Sequence, residues 1–258
     1  MRPDCFHLQR DCSRCHALCC VVLPHAREDG FPATKAPGVP CPHLTEDQRC
    51  SFYGDLTQRG LYGCAAFDCL GAGPAALRRM GDTAGDSEIL FQVYTQLLLL
   101  HQLDWYLHQA FETAQTPRFR VRILELRAEN AALRALPVPE LLALEPDTHR
   151  NRVHTTLRQL IVFHCPRKAP AHGSCVGRRF LGIDLREHDC SYALFQGADL
   201  RGCDLTGTSF LCCDLRGADL RGADLSQALF LTQSQLNTAR GSASTLLPPE
   251  LERPPFWT

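Results

Sequence analysis

The chain has 258 residues, 45% of them hydrophobic, and its 27 Lys and Arg residues nearly balance 28 Asp and Glu residues, for a formal net charge of −1. This balance gives no basic surface for nucleic acid and no acidic, disordered or membrane-surface character. Apolar runs such as Leu97 to Leu100 fall far short of the roughly 20 residues that span a bilayer.

Cysteine is the unusual residue in the composition. Nine of the 15 cysteines lie in the first 69 residues and six lie from Cys165 onward. No apolar stretch follows Met1-Arg2-Pro3-Asp4, so the sequence indicates no secretory signal. We therefore expect a cytoplasmic protein with reduced thiols rather than a disulfide framework.

The first segment, residues 1–80, combines cysteines with many glycines and prolines and has few periodic apolar positions. Thiolates favour zinc, iron or cuprous copper, and a bound metal would supply the missing folding energy. We predict a cysteine-rich module that binds zinc or iron, with copper less favoured. The candidate ligands are Cys12, Cys15, Cys19, Cys20, Cys41, Cys50, Cys64 and Cys69.

The pairing of these eight cysteines stays open at this stage. They could complete two tetrahedral sites, or one closed site and one with an open position. Along an extended backbone, the adjacent Cys19 and Cys20 would project differently, so we do not expect both to bind one ion. A redox or disulfide role for these thiols is the alternative.

This region resembles the CxxCxxCC-type zinc- or iron-chelating family. The resemblance rests on these eight cysteines and on the step Pro40-Cys41-Pro42, and it implies metal chelation. The chain departs from the family pattern by placing three residues, rather than two, between Cys15 and Cys19.

The second segment, residues 81–165, has apolar residues at helical spacing. The pattern predicts a helix from Ser87 to about Thr113, a second from Thr116-Pro117 to Pro137, and a third from after Asp147 to before Pro166. These helices could form a small bundle or cover the following segment.

Two groups of polar residues in this part of the chain are candidates for additional metal ligands. His101, Asp104 and His108 lie on one side of the first long helix and could form a nitrogen and oxygen site of the kind that non-haem iron uses, or could be satisfied polar residues at an interface. The second group lies at the junction with the third segment, where it could complete a metal site or be an ordinary linker. Its members are His164, Cys165, His172 and Cys175.

The third segment, residues 166–235, repeats every five residues from about Phe180. A large apolar residue recurs at the centre of each unit and a small residue lies two positions before it, as in Ala198-Asp199-Leu200-Arg201-Gly202. A period of five matches neither a helix nor a strand, and fixed-period repetition predicts a solenoid.

These units resemble the pentapeptide-repeat family, over about residues 178–232. The resemblance implies a right-handed quadrilateral β-helix with four units per coil. Stacked units would then form ladders of Asp199 over Asp219 and Arg201 over Arg221, and an apolar face with Leu211, Leu229 and Leu231 that we expect the preceding helices or a partner to cover.

The last segment, residues 236–258, is expected to cap the solenoid or to mediate a homodimer. The predicted fold class is therefore α+β and multidomain, with a cysteine-rich metal-binding module, a helical middle and a β-helix. This order is similar to that of a bacterial group of cysteine-rich pentapeptide-repeat proteins.

Two functions follow from this organisation. The first is a metal-binding scaffold whose solenoid docks a protein or peptide partner, with no role for nucleic acid or membrane. The second is a metal-dependent enzyme that uses iron or copper, for example in an oxidation, to modify a peptide or small molecule between the module and the solenoid. No nucleotide-binding glycine loop or Ser-His-Asp set is present, so the catalytic residues stay unknown.

Overall fold

The computed structural model describes residues 8–56, 58–81, 87–170 and 174–257. The chain divides into two compact units. The N-terminal unit contains the chain up to Phe111 together with Thr116–His154, and the solenoid unit contains Glu112–Gln115 and the chain from Thr155 onward. The cysteine-rich segment and most of the helical segment thus share one unit, whereas the repeats and the tail share the other.

The cysteine-rich part of the N-terminal unit has short elements only. They are 3₁₀ turns at Cys12–Arg14 and Arg27–Asp29 and the helices α1 (Leu18–Val22), α2 (Tyr62–Ala66) and α3 (Ala72–Met80). Isolated antiparallel bridges join His25 to Lys35 and Leu44 to Cys50.

Few apolar side chains hold this part together. Among the described residues before position 71, the buried hydrophobic side chains are Leu8, Leu18, Cys41 and Ala66. Ala72, Ala76 and Met80 of α3 are buried as well, and they belong to the core that α3 shares with α4.

Four further helices follow: α4 (Ser87–Thr113), α5 (Pro117–Ala135), α6 (Val138–Leu142) and α7 (Pro146–His164). The three long helices lie where the apolar spacing predicts them. Thr116 was expected to cap α5, but its side chain makes no capping hydrogen bond, and the helix begins instead with proline in its first turn. No helix in the described ranges is both long and apolar enough to cross a bilayer.

The apolar core of the N-terminal unit connects the last short helix of the cysteine-rich part to α4. Its buried members come from α1, α3, α4 and α6 and are Leu18, Ala72, Ala76, Met80, Leu90, Val93, Tyr94, Leu97, Leu100 and Leu141. This core anchors one edge of the cysteine-rich part and leaves its loops outside.

The repeats form a solenoid in which residues twenty positions apart pair in parallel. Arg179 pairs with Asp199, Asp199 with Asp219, and Asp204 with Asp224. A twenty-residue step is four units of five, so the predicted four-sided coil is confirmed. Two-residue strands, β1 (Arg167–Lys168) and β2 (His188–Asp189), pair in parallel at the start.

The central residue of each unit points into the solenoid and is buried. These residues are Phe180, Leu185, Cys190, Phe195, Leu200, Leu205, Phe210, Leu215, Leu220, Leu225 and Phe230. The small residue two positions earlier is also buried in most units, including Cys203 and Cys213. Both cysteines therefore serve as small core residues.

The outward faces carry the ladders that the repeat predicts. Arg201 pairs with Asp199 at 2.7 Å and approaches Asp219 at 3.8 Å, while Arg221 pairs with Asp219 at 2.6 Å. The hydrogen bonds from Arg201 lower the pKa of Asp199 to about 2.

The predicted apolar face is covered. Leu211 and Leu231 are fully buried, and Leu229 is half-buried. The last part of α7 belongs to the same unit, where Cys165 donates a hydrogen bond to the Gly207 carbonyl at 3.1 Å. The preceding helix therefore packs on this side of the solenoid.

The tail closes the last coil. Arg240 pairs in parallel with Asp219, and Leu246 pairs with Asp224, after the short helix α8 (Gln233–Thr238). Trp257 is buried and donates its indole N–H to the Ala239 carbonyl at 3.1 Å. The tail thus pairs with the last coils of the solenoid, and its roles as a cap or in a homodimer stay predictions.

Gly241→Ala should loosen the packing of this tail, because a Cβ at that position would overlap the Trp257 ring. We expect the free energy of unfolding of the solenoid unit to fall by about 1–3 kcal/mol, the usual cost of overpacking. Denaturant unfolding and a red shift of tryptophan emission measure the effect. Gly54→Ala, which adds a methyl group in open space, is the control; identical behaviour of the two variants would contradict the packing described here.

Candidate metal centre

The first cysteines are held by a turn and a short helix. The Asp11 carboxylate accepts a hydrogen bond from the Ser13 amide at 3.1 Å and caps the 3₁₀ turn between Cys12 and Cys15. Ala17 has a positive φ of 49° and leads into α1. These two features turn the backbone sharply, so that Cys12, Cys15 and Cys19 stay close together.

Cys19 and Cys20 differ from the sequence-based expectation. They lie in α1 rather than in extended backbone, and their sulfur atoms are 3.9 Å apart. The thiol of Cys19 interacts with that of Cys20, which raises the pKa of Cys19 and lowers that of Cys20. The expectation of an extended backbone at this position is therefore wrong, because Ala17 redirects the chain into a helical turn.

The sulfur of Cys15 lies in a close-packed neighbourhood with Cys69. An ideal Cβ on Gly73 would be 2.6 Å from the Cys15 sulfur, so only glycine leaves room for it. Burial, with smaller contributions from the nearby Cys69 and Cys12 thiols, raises the pKa of Cys15 to about 11. Amides of Ala17 and Leu18 point at the same sulfur and oppose this shift.

Cys69, which lies just before α3, has the same kind of surroundings as Cys15. Burial raises its pKa, with a contribution from Cys12, while amides of Gly73 and Gly71 donate to its sulfur and lower it. Backbone amides that donate to sulfur favour the thiolate, which is the form that binds metal. Burial outweighs these amides, so the pKa of both thiols lies above its ordinary value.

A second neighbourhood forms around Cys20. The Cys41 amide donates to the Cys20 carbonyl at 3.0 Å, and Cys41 is linked through Leu44 to Cys50. Burial, with smaller contributions from the thiols of Cys20, Cys50 and Cys41, raises the pKa of Cys64 to about 12. These four cysteines, distant in sequence, are thus neighbours in space.

Lys35 is the cation of this second neighbourhood. It is 9% exposed, and its ammonium group donates to the carbonyl of Val21 at 3.1 Å and to that of Leu23. Its charge lowers the pKa of Cys20, while burial lowers the pKa of Lys35 itself. Sequence analysis missed this residue, although it is one of only two lysines in the chain.

Tyr94 was also missed, because its position in α4 fits an ordinary apolar stripe. It is 1% exposed, and its hydroxyl oxygen has no hydrogen-bond partner. Burial raises its pKa, as do the nearby thiols of Cys19, Cys69 and Cys15. A buried hydroxyl that lacks a hydrogen-bond partner is uncommon in native proteins, and this one is surrounded by thiols.

No group of three or more His, Cys, Asp or Glu side chains, among the residues that the structure describes, is arranged to hold a metal ion. The donor set nevertheless suits zinc or iron, because it consists of clustered thiols. The buried hydroxyl of Tyr94, which has no hydrogen-bond partner, lies near the thiols of Cys19, Cys69 and Cys15.

The polar residues of α4 are engaged elsewhere in the N-terminal unit. Nδ1 of His101 lies 2.6 Å from the Leu70 carbonyl, and Asp104 pairs with Arg134 at 2.9 Å. His108 is buried beside Trp105, with 6.4 Å between ring centroids. The structure thus gives His101 and Asp104 packing partners and does not gather the three around one point.

The junction residues are placed within the solenoid unit. Cys165 and Cys175 are buried and donate to the carbonyls of Gly207 and Pro170, at 3.1 and 3.4 Å. The ring of His164 packs edge-on against Phe163. His172 lies outside the described residues, so ligation at this junction stays a prediction.

Arg134→Met tests the structural role of Asp104. The Asp104 side chain is 7% exposed and the Arg134 side chain 19% exposed. Removing this cation from beside a mostly buried carboxylate should lower the free energy of unfolding by up to about 5 kcal/mol. Adding Asp104→Leu should recover most of this loss in denaturant unfolding. No coupling between the two substitutions would contradict the ion pair.

Comparison with known proteins matches both the repeats and the whole chain. Eight copies of the motif described as pentapeptide repeats match residues 189–227. The chain is 35% identical over 269 residues to a Bacillus subtilis (strain 168) protein described as "Uncharacterized protein YybG", which covers 98% of this chain and 95% of that one.

One solved structure is also similar. It is the crystal structure of a pentapeptide repeat protein, Rfr23, from the cyanobacterium Cyanothece 51142, with 26% sequence identity and a TM-score of 0.23. The match covers 30% of this chain and spans about half, 48%, of that one.

Proposed function

We propose that this chain, which belongs to the pentapeptide-repeat family, is a metal-binding scaffold protein. In this proposal the cysteine-rich part binds zinc or iron, and the solenoid presents a rigid surface to a protein or peptide partner. The metal would supply cross-links that fix the loops of the cysteine-rich part.

The clustering of the eight cysteines carries the metal-binding proposal. The described residues before position 71 bury only four hydrophobic side chains, one of them Cys41. The loops of this part nevertheless place thiols that are far apart in sequence, such as those of Cys20 and Cys64, near each other. Buried polar thiols do little to offset the entropy of ordering loops, whereas a metal bound by thiolates contributes folding energy outright.

The exposed surface of the first coil supports the scaffold role. Large apolar side chains there reach solvent, with Leu181 70% exposed and Tyr192 50% exposed. The others are Val176, Ile183 and Leu194. The coils beneath them are joined by hydrogen bonds at every step, so these exposed apolar side chains stand on a rigid support of the kind that suits a protein or peptide partner.

The geometry does not favour the second candidate, a metal-dependent enzyme. The enzyme hypothesis was based on the number of candidate ligands, which is larger than a structural zinc site needs. Those ligands include His101, Asp104 and His108. The structure engages Asp104 with Arg134 and His101 with the Leu70 carbonyl. Each contact has a packing role that requires no chemistry.

Metal analysis of anaerobically purified protein tests the proposal. We expect stoichiometric zinc or iron in the wild-type protein, identified by elemental analysis and an optical spectrum. Cys15→Ser should lose metal and destabilise the N-terminal unit, while the circular dichroism signal of the solenoid persists.

Cys212→Ser is the matched control, because Cys212 is an exposed cysteine of the solenoid. It should keep the full metal content. A wild-type protein without bound metal, or a Cys15→Ser variant with unchanged metal content, would overturn the metal-binding proposal.

A further inference from the structure

We propose that the entry edge of the solenoid binds an extended acidic segment of a partner protein as an added β-strand. The entry edge is the side of residues 178–181, in the first coil, that faces away from the second coil. This inference rests on the scaffold part of the proposed function. It deepens that part by naming the chemistry of the partner and the residues that recognise it.

The backbone at the entry edge can pair with another strand. The Phe180 amide donates to the Asp199 carbonyl at 2.9 Å, and the Asp199 amide donates to the Arg178 carbonyl at 2.8 Å. These bonds use the groups that face the second coil. The amide and carbonyl of Arg179 lie between them and point the other way, as alternate peptide groups of a strand do. They have no hydrogen bond to any residue in the described ranges.

Neighbouring edges of the solenoid are already paired. On the side that follows the entry edge, β1 pairs with His188 and Asp189. At the opposite end of the solenoid, Arg240 and Leu246 of the tail pair with the last coil. No described residue pairs with Arg179 on its outer side, so a strand from another protein can add there.

The side chains of the entry edge reverse the pattern of the coils above it. On this side of the solenoid, the units 198–202 and 218–222 both read Ala-Asp-Leu-Arg-Gly, whereas the unit 178–182 reads Arg-Arg-Phe-Leu-Gly. Arg179 therefore takes the position of the aspartate, and Leu181 takes the position of the arginine. The ladder of carboxylates thus ends in a cation at this edge.

Arg178 and Arg179 consequently lack a carboxylate of their own. Their guanidinium groups make no hydrogen bond or ion pair with the part of the chain that the structure describes, and both residues are exposed. The carboxylate above Arg179, that of Asp199, is already held by Arg201 at 2.7 Å. An acidic side chain stacked on the outer side of Arg179 would supply the missing partner.

Leu181 adds a second requirement for the partner. Its side chain is 70% exposed, and it lies on the same face of the strand as Arg179, because side chains two residues apart point the same way. A partner strand that places an acid beside Arg179 brings the residue two positions later beside Leu181. The edge therefore suits a segment with an acidic residue followed two positions later by an apolar one.

A second copy of this chain would fit the entry edge poorly. Two stacked entry edges would bring Arg178 and Arg179 of one copy close to the same residues of the other, and like charges across an interface are unfavourable. Charged side chains at sheet edges commonly prevent such pairing. An acidic strand instead attracts these arginines, while its main chain pairs with the edge and its side chains provide specificity.

Peptide binding to the full chain tests the proposal. The probe is a fluorescein-labelled peptide of two Ala-Asp-Leu-Val-Gly units, which continues the repeat with an acid beside Arg179 and valine beside Leu181. The matched peptide has lysine in place of aspartate. Fluorescence polarisation at low ionic strength should show that the wild-type protein binds the aspartate peptide about 10-fold more tightly than the lysine peptide.

Arg179→Glu should reverse this preference, because the edge would then attract lysine and repel aspartate. Arg240→Glu is the matched control: Arg240 is exposed and pairs with Asp219 at the opposite end of the same ladder, so this variant should keep the wild-type preference. Circular dichroism checks that both variants fold. A wild-type protein that does not bind the aspartate peptide, or a preference that Arg179→Glu leaves unchanged, would overturn the proposal.

N-methylated peptides test the added strand without any variant of the protein. By the register of the coils, the leucine amide of the probe donates to the Arg179 carbonyl, whereas the aspartate amide points away from the edge. Methylation of the leucine amides should abolish binding, and methylation of the aspartate amides should preserve it. Equal binding of the two methylated peptides would contradict strand addition.

Peptide-display selection against the wild-type protein separates this inference from the scaffold role on which it rests. Acidic peptides that lose affinity for Arg179→Glu would support the entry edge. Peptides that bind Arg179→Glu as tightly as the wild type would overturn the entry edge and leave the scaffold role intact. A selection that yields no binding peptide would overturn both.

Discussion

A shortage of apolar side chains in the cysteine-rich part is the constraint on which this account depends. Among the described residues before position 71, only Leu8, Leu18, Cys41 and Ala66 contribute buried hydrophobic side chains. Loops with so little buried apolar surface need a further source of folding energy, and we propose that a metal bound by the clustered thiols supplies it.

The solenoid unit, in contrast, has an apolar core of its own. Every fifth side chain is buried along its axis, and each coil hydrogen-bonds to the next. Its cysteines at inward positions, such as Cys203 and Cys213, pack as small apolar residues. In our proposal the chain therefore uses cysteine in two ways. Cysteines pack as small core residues where the repeat provides a core, and they bind metal where no repeat does.

The sequence was sufficient for the regular parts of the fold. The five-residue period predicted the four-sided coil, in which Arg179, Asp199 and Asp219 pair in successive turns. The helical spacing of apolar residues predicted α4 with the ends that the structure shows. For the cysteine-rich part, the sequence predicted only which residue types are abundant. Which cysteines lie close together depends on loops, and loops have no periodic pattern from which contacts could be predicted. Tyr94 and Lys35 were missed for that reason: nothing near them in sequence shows that thiols from distant turns surround them.

X-ray absorption spectroscopy at the metal edge of the purified wild-type protein tests the central claim most directly. The account predicts a first shell of four sulfur atoms around the metal, at about 2.3 Å for zinc. A shell dominated by nitrogen and oxygen would contradict it, because the eight cysteines would then not be the ligands. Protein that carries no metal would contradict it equally.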